Sequence, residues 1–202
     1  MTDSLRRRTA LQAGGGAALL SWLPSLRAQP QFAAERPGWP AWEAFKAQFI
    51  NEDGRVISDD AGGGQTYSEG QAYALFFALV ANDRAAFDKL LRWTENNLCD
   101  GDITARLPAW LWGKRPDGSW GVIDSNAASD ADLWIAYALG EAGRLWSVRS
   151  YRALSALLAT RILREETAQL PGLGLTLLPA PQGFAQGDGR WRLNPSYMPM
   201  HL

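Results

Sequence analysis

Glu69 stands in the run Ser68-Glu69-Gly70-Gln71-Ala72-Tyr73, behind a Gly- and Asp-rich stretch and ahead of the apolar run Tyr73 to Val80. This spacing predicts a carboxyl on the first turn of a helix, beside an open loop. An acid carried there can face a cleft and exchange a proton with whatever binds in it. Two influences oppose each other at this position. A helix N-terminus favours the charged carboxylate by roughly 0.3–1 kcal/mol, whereas burial raises a carboxyl pKa by up to about 3–5. Tyr67, Tyr73 and Phe76 supply apolar surroundings of the kind that raises it. The bland alternative is a glutamate that only satisfies the helix dipole.

A second carboxyl cluster opens another helix, at Ala128-Ser129-Asp130-Ala131-Asp132-Leu133-Trp134. Residues two apart do not share a helical face, so Asp130 and Asp132 point in different directions. Asp130 is the candidate to converge on Glu69 across a cleft. Asp132 is either a polar contact for a ligand or a first-turn partner of the dipole. Asp124 and Asn126 just upstream read as turn formers.

The chain holds 10 tryptophans. Each buries a large area in a core, or offers a flat face to a sugar ring. Trp110, Trp112 and Trp120 fall where no helical period exists. Trp110 and Trp112 are one residue apart, which in an extended stretch puts both indoles on the same side. Such a pair makes a sugar platform, with Lys114 and Arg115 near for hydroxyls. The alternative is a tryptophan plug at the end of a helix bundle.

Other chemistries lack residues. There is one histidine, His201, and one cysteine, Cys99. A multi-histidine metal site and an internal disulfide are therefore excluded, and no metal or other cofactor is expected. A formal net charge of −1 gives no reason to expect nucleic acid as a partner.

The positioning elements are mostly helical. Trp42, Phe45 and Phe49 recur at helical spacing over Ala41 to Ile50. Ser68 begins a second helix, and Ser68 with Gln71 fits a capping box. Asp83 caps a third, with Phe87, Leu90, Leu91 and Leu98 on one face. Cys99 to Ala128 breaks into turns. A fourth helix is expected from Ser129 to Trp146 and a fifth from Tyr151 to Leu170, stopped by Pro171-Gly172. The tail suits a hairpin around Gly183 to Gly189. Short joints between helices suit stacked antiparallel pairs.

Ahead of these, Arg6, Arg7 and Arg8 precede an apolar run from Ala10 to Leu23. This reads as a signal peptide over 1–28, of twin-arginine type, followed by a linker over 29–38. The run is shorter than the roughly 20 residues of a spanning helix. The expectation is a periplasmic or secreted protein with no stable membrane insertion after cleavage; an uncleaved anchor is the alternative.

Taken together, these segments resemble family 8 of the glycoside hydrolases. The likeness runs through Trp39-Pro40-Ala41-Trp42, Asp53-Gly54-Arg55-Val56-Ile57 and Ser68-Glu69-Gly70-Gln71. It continues in Ala81-Asn82-Asp83-Arg84, Pro108-Ala109-Trp110-Leu111-Trp112-Gly113, the run Ala128 to Trp146, and Asn194-Pro195-Ser196-Tyr197.

The resemblance implies an all-α fold, an (α/α)6 barrel of helical hairpins, with 39–202 as the N-terminal part of the catalytic domain. It implies an endo-β-1,4-glucanase that inverts configuration, tied to bacterial cellulose biosynthesis, with cellulose or another β-1,4-glucan as substrate and the cellulose synthase complex as a partner. Glu69 matches the proton donor. Asp130 matches the signature aspartate, described as nucleophile or as support for the sugar at the cleavage point. Trp110, Trp112, Trp120, Tyr73, Asp132 and Tyr197 are the expected substrate contacts. Inversion needs a separate base, with carboxyls about 6.5–9.5 Å apart, and the resemblance puts that base beyond the position matching Leu202. A non-catalytic glucan-binding fragment is the competing expectation.

Overall fold

The structure is a computed structural model and describes residues 38–58 and 64–199. The chain divides at residue 37, and the described residues all belong to the second unit, 38–202. The signal peptide expected over 1–28 and nearly all of the linker over 29–38 lie outside the described residues.

Among the described residues, five helices carry the fold. The first, α1 (Pro40–Phe49), starts with proline at a position where a missing N–H costs nothing. It buries Trp42, which stacks on Phe45 at 5.9 Å. Phe45 in turn meets Phe77 edge-on at 5.7 Å. Helix α2 (Ser68–Val80) buries Ala72, Ala74, Leu75, Ala78 and Leu79. Helix α3 (Arg84–Leu98) turns Phe87, Leu90, Leu91 and Leu98 inward, as its single apolar face predicts. Asp83 caps it as expected, accepting from the Ala86 N–H at 3.0 Å. The same carboxylate receives Lys46 Nζ at 2.7 Å and Trp42 Nε1 at 3.1 Å, so one side chain joins α1 to α3.

Helices α4 (Ser129–Leu145) and α5 (Arg149–Glu165) form the second hairpin. Small residues bring them close. A Cβ added at Gly143 would stand 2.6 Å from Arg152 Cγ and 2.8 Å from its backbone nitrogen. Ser155 Oγ donates to the Ala136 carbonyl at 2.7 Å across the same joint.

The two hairpins lie side by side through α2 and α4. Their N-termini meet, since the charges of Glu69 and Asp130 act on each other. Their C-terminal ends meet too: Trp146 Nε1 donates to Asn82 Oδ1 at 2.8 Å. The helices α2 and α4 are therefore parallel, each backed by the helix that follows it. This is the expected arrangement of (α/α)6 hairpins, and it brings two helix N-termini to one end.

Three small antiparallel sheets complete the described residues. Strands β1 (Thr66–Tyr67), β2 (Leu111–Lys114) and β3 (Trp120–Asp124) pair in the order β1-β2-β3. Strands β4 (Thr167–Leu170) and β5 (Gly174–Leu177) form a hairpin, and β6 (Ala185–Gln186) and β7 (Arg190–Trp191) another. The last is the hairpin expected around Gly183 to Gly189. Among the described residues, no helix is long and apolar enough to cross a membrane.

Two expectations need correction. The fifth helix stops at Glu165 rather than Leu170, because Thr167 to Leu170 pair with Gly174 to Leu177 across the Pro171-Gly172 turn. The helical pattern of 151–170 holds no local stop before the proline, so only the partner strand ends it. The capping box at Ser68 is also absent. Tyr67 occupies the cap position without a side-chain bond. Gln71 turns into the core instead, where its Oε1 accepts from the Val56 N–H at 2.6 Å and its Nε2 donates to Thr94 Oγ1 at 2.9 Å. A buried amide with four bonding positions is worth more between three segments than at an exposed helix end.

Candidate active site

Glu69 sits on the first turn of α2, where β1 leads into the helix. Its carboxyl accepts from Trp110 Nε1 at 3.1 Å on Oε1 and from Ser68 Oγ at 3.2 Å on Oε2. Burial pushes its pKa above the ordinary glutamate value, and the charge of Asp130 pushes the same way. Its own backbone N–H and the Trp110 and Ser68 donors pull it down without winning. The opposition between helix end and burial is thus decided in favour of burial, which suits a proton donor.

Asp130 stands on the first turn of α4, its pKa also raised by burial. Its Oδ1 is buried and receives no hydrogen bond. Tyr73 and Tyr197 complete the group. Each phenol is raised first by burial and then by the charges of Asp130 and Glu69, and Tyr73 also feels Tyr197. Tyr197 arrives from a short 3-10 turn, Pro195–Tyr197, fixed by the Asn194 side chain accepting from the Ser196 N–H at 3.1 Å. Four residues from three distant parts of the chain thus share one electrostatic environment.

A cleft of about 680 Å³ opens beside Glu69, lined by Phe45, Phe49, Tyr67, Tyr73, Phe77 and Trp110. Its walls are mostly aromatic, as a sugar-binding groove requires. A second cleft of about the same volume lies by Asn96, Arg106, Arg115 and Asn126. Neither Glu69 nor Asp130 lines it, so it offers no proton donor.

The tryptophans separate. The β2–β3 register shifts between Leu111 and Trp112, and such an irregularity breaks the alternation of side chains along a strand. Trp110 packs on Tyr67 at 5.6 Å and belongs to the Glu69 cleft. Trp112 goes instead to Trp93 and Trp120, each at 5.4 Å, with the Arg55 guanidinium 4.4 Å from its ring. The expected pair of indoles on one side is therefore not formed. Trp112 is a middle layer, and Trp120, 48% exposed, is the outer one.

Asp132 corrects a further expectation. It was expected to contact substrate, yet it is fully buried and closed to any sugar. It interacts with Glu166, the residue that caps the C-terminal end of α5. Glu166 carried no signal, since it stands in a charged run, Arg164-Glu165-Glu166, that reads as a solvated helix end. Trp134 was likewise passed over; it packs edge-on to Tyr73 at 6.2 Å and beside Phe76 at 4.8 Å. Its spacing after Asp130 places it one turn along the same helix, which was a usable signal. Among the described residues no group of His, Cys, Asp and Glu suits a metal ion.

This arrangement of acid, aspartate and aromatic cleft has relatives. Residues 23–202 match the family described as Glycosyl hydrolases family 8. An endoglucanase of Escherichia coli is 55% identical over 164 residues, which are 81% of this chain and 44% of that protein. An endoglucanase of Xanthomonas axonopodis is 48% identical over 200 residues, 98% of this chain and 51% of that one. The crystal structure of an endo-1,4-D-glucanase from Vibrio fischeri superposes with a TM-score of 0.77 at 58% identity, covering 80% of this chain and 47% of that one. The chain spans about half the length of these relatives. It belongs to family 8 of the glycosyl hydrolases.

Proposed function

We propose that the protein hydrolyses internal β-1,4-glucosidic bonds of cellulose with inversion of configuration, Glu69 giving its proton to the leaving oxygen. The observation that carries this reading is the half-buried Glu69 carboxyl, which lines an aromatic cleft and is raised in pKa by burial and by the charge of Asp130. An acid whose pKa is raised is what departure of a glucosyl oxygen needs. Asp130 and Tyr197 then support the sugar at the cleavage point, and Tyr73 and Trp110 line its path. Water is activated by a further carboxylate outside the described residues. The names of the relatives, endoglucanases all, support the substrate class.

The leader-like start, with Arg6, Arg7 and Arg8 before an apolar run, supports export to the periplasm or beyond. A role beside the cellulose synthase complex belongs to the same proposal and rests on the family-8 resemblance of the sequence. The experiment is hydrolysis of carboxymethyl cellulose by this chain and by a form extended to the length of its relatives, each with and without Glu69→Gln. No release of reducing ends from the extended form, or an unchanged rate in its Glu69→Gln variant, overturns the reading.

A second reading is binding of glucan without turnover, favoured by the aromatic walls of the cleft beside Glu69. Retention on cellulose by the 202-residue chain with no product, while the extended form is active, supports it for this chain.

A further inference from the structure

On the first turn of α4 and at the C-terminal cap of α5 stand two carboxyls that the proposed reaction does not use. Asp132 and Glu166 are both fully buried. All four of their carboxyl oxygens are closed to solvent and receive no hydrogen bond from any N–H or O–H of the protein. The two groups nonetheless lie within hydrogen-bonding reach of each other. Two ionised carboxylates have no proton to offer, so a contact between them stays unsatisfied until one is protonated.

The charges around them do not relieve this. Asp132 faces Glu166, Asp130 and, from α2, Glu69. Glu166 faces Asp132, Glu165 and Asp130. At the end of α3 the Cys99 thiol feels Asp132 and is itself held far above the ordinary thiol value by burial, so it stays neutral. The nearby cations are engaged elsewhere. Arg161 donates to Glu165 Oε1 at 2.5 Å and to the Thr104 carbonyl at 2.7 Å, and Arg106 pairs with Asp100 at 3.4 Å. A pair of buried like charges with no cation holds a proton instead.

We propose that Asp132 and Glu166 share one proton and that this acid–carboxylate pair clamps the first turn of α4, with Asp130 on it, to the end of α5 and the β4–β5 hairpin. The backbone around the pair is already tied at both ends. The Ser129 N–H donates to the Pro179 carbonyl at 3.0 Å, the Leu178 N–H to the Glu166 carbonyl at 2.7 Å, and the Glu166 N–H to the Ile162 carbonyl at 2.9 Å. A side-chain bond between Asp132 and Glu166 closes this frame from the inside. Both are positioning residues: neither reaches the cleft. The inference rests on the hydrolase reading only in calling Asp130 a residue of the site.

Burial, above all, holds both carboxyls above their ordinary range, Glu166 at about 8. The folded chain therefore keeps a proton that the unfolded chain releases above the ordinary carboxyl range. Stability contributed by the pair is complete below the ordinary carboxyl range and is lost progressively as pH rises from there through the pair's raised value.

The test uses the 202-residue chain. Its infrared spectrum at neutral pH in heavy water should contain the C=O stretch of a protonated carboxyl. Part of that band should vanish in Asp132→Asn and equally in Glu166→Gln, because a side-chain amide supplies the donor and the remaining carboxylate no longer needs the proton. Thermal melting should fall from mild acid to mild alkali in the wild type and fall less steeply in Glu166→Gln. Glu166→Ala, which leaves Asp132 alone, should melt lowest, and Glu166→Gln should recover most of the loss. A band unchanged in both amide variants, or melting of Glu166→Gln that falls with pH as steeply as the wild type, overturns the proposal. Failure of the hydrolase reading shows separately, as turnover in the extended protein that survives Glu69→Gln; that outcome leaves the Asp132–Glu166 band untouched.

Discussion

Trp110 Nε1 donates to Glu69 Oε1 at 3.1 Å, while the Trp110 ring packs on Tyr67 and lines the cleft beside them. One indole therefore both walls the groove and aims the acid at it. The N–H also stabilises the charged form of Glu69, so the same contact that orients the carboxyl moderates its pKa. A proton donor needs both, because a pKa raised without limit would make it too weak an acid to release its proton.

Glu69→Gln should reduce hydrolysis of carboxymethyl cellulose by about 10²–10⁴-fold in the protein extended to the length of its relatives. In the unaltered protein the rate should fall as pH rises through the Glu69 value, which burial and Asp130 hold above the ordinary one. The direction follows from the role, since only the protonated form donates. Reducing-end assays across pH check both points, and a rate that climbs with pH through this range contradicts the role.

Trp110→Phe removes the indole N–H but keeps an aromatic wall. The hydrogen bond lowers the Glu69 pKa, so its loss should raise that pKa further. The alkaline limb of the pH–rate profile should then move to higher pH, with a lower maximal rate because the carboxyl is less well aimed. A limb that moves to lower pH would show that another donor controls the group.

Gln71→Leu should destabilise the fold by about 2–4 kcal/mol, since each buried polar group left unmade costs about 1–3 kcal/mol. The Val56 N–H loses its acceptor, and Thr94 Oγ1 loses its donor. Equilibrium denaturation in urea measures this. If Gln71 served only at the helix end, the loss would stay below about 1 kcal/mol.

Trp120→Ala and Trp112→Ala should separate binding from stability. Trp120 is the outer ring of the stack and 48% exposed, so its loss should weaken retention of soluble β-1,4-glucan by about 2–10-fold, the scale of one ring stack. Trp112 lies between Trp93, Trp120 and Arg55. Its loss should cost about 3–5 kcal/mol of stability, as removal of a packed tryptophan does. Affinity electrophoresis with thermal melting of both variants checks the pair. Equal melting points would mean that Trp112 is not a packed layer.

The helices were legible in the sequence because their signals are local. Asp83 before Phe87, Leu90, Leu91 and Leu98 states a cap and one apolar face within a single stretch, and α3 follows both. Glu69 and Asp130 could be placed on first turns for the same reason. What lay between elements was not legible. Gln71 stands at capping-box spacing, yet Val56 and Thr94 claim its amide. Residues 167–170 continue a helical pattern until β5 takes their backbone bonds.

The site divides in the same way. The sequence alone determined which carboxyls and which rings the chain brings to the two helix starts, because type and spacing fix them. Only the tertiary structure decided that Trp110 and Trp112 part company, that Asp132 is sealed against Glu166, and that the Glu69 pKa is raised. Burial and the charge of a neighbour set those outcomes, and both depend on what folds over a residue rather than on what stands beside it in the chain.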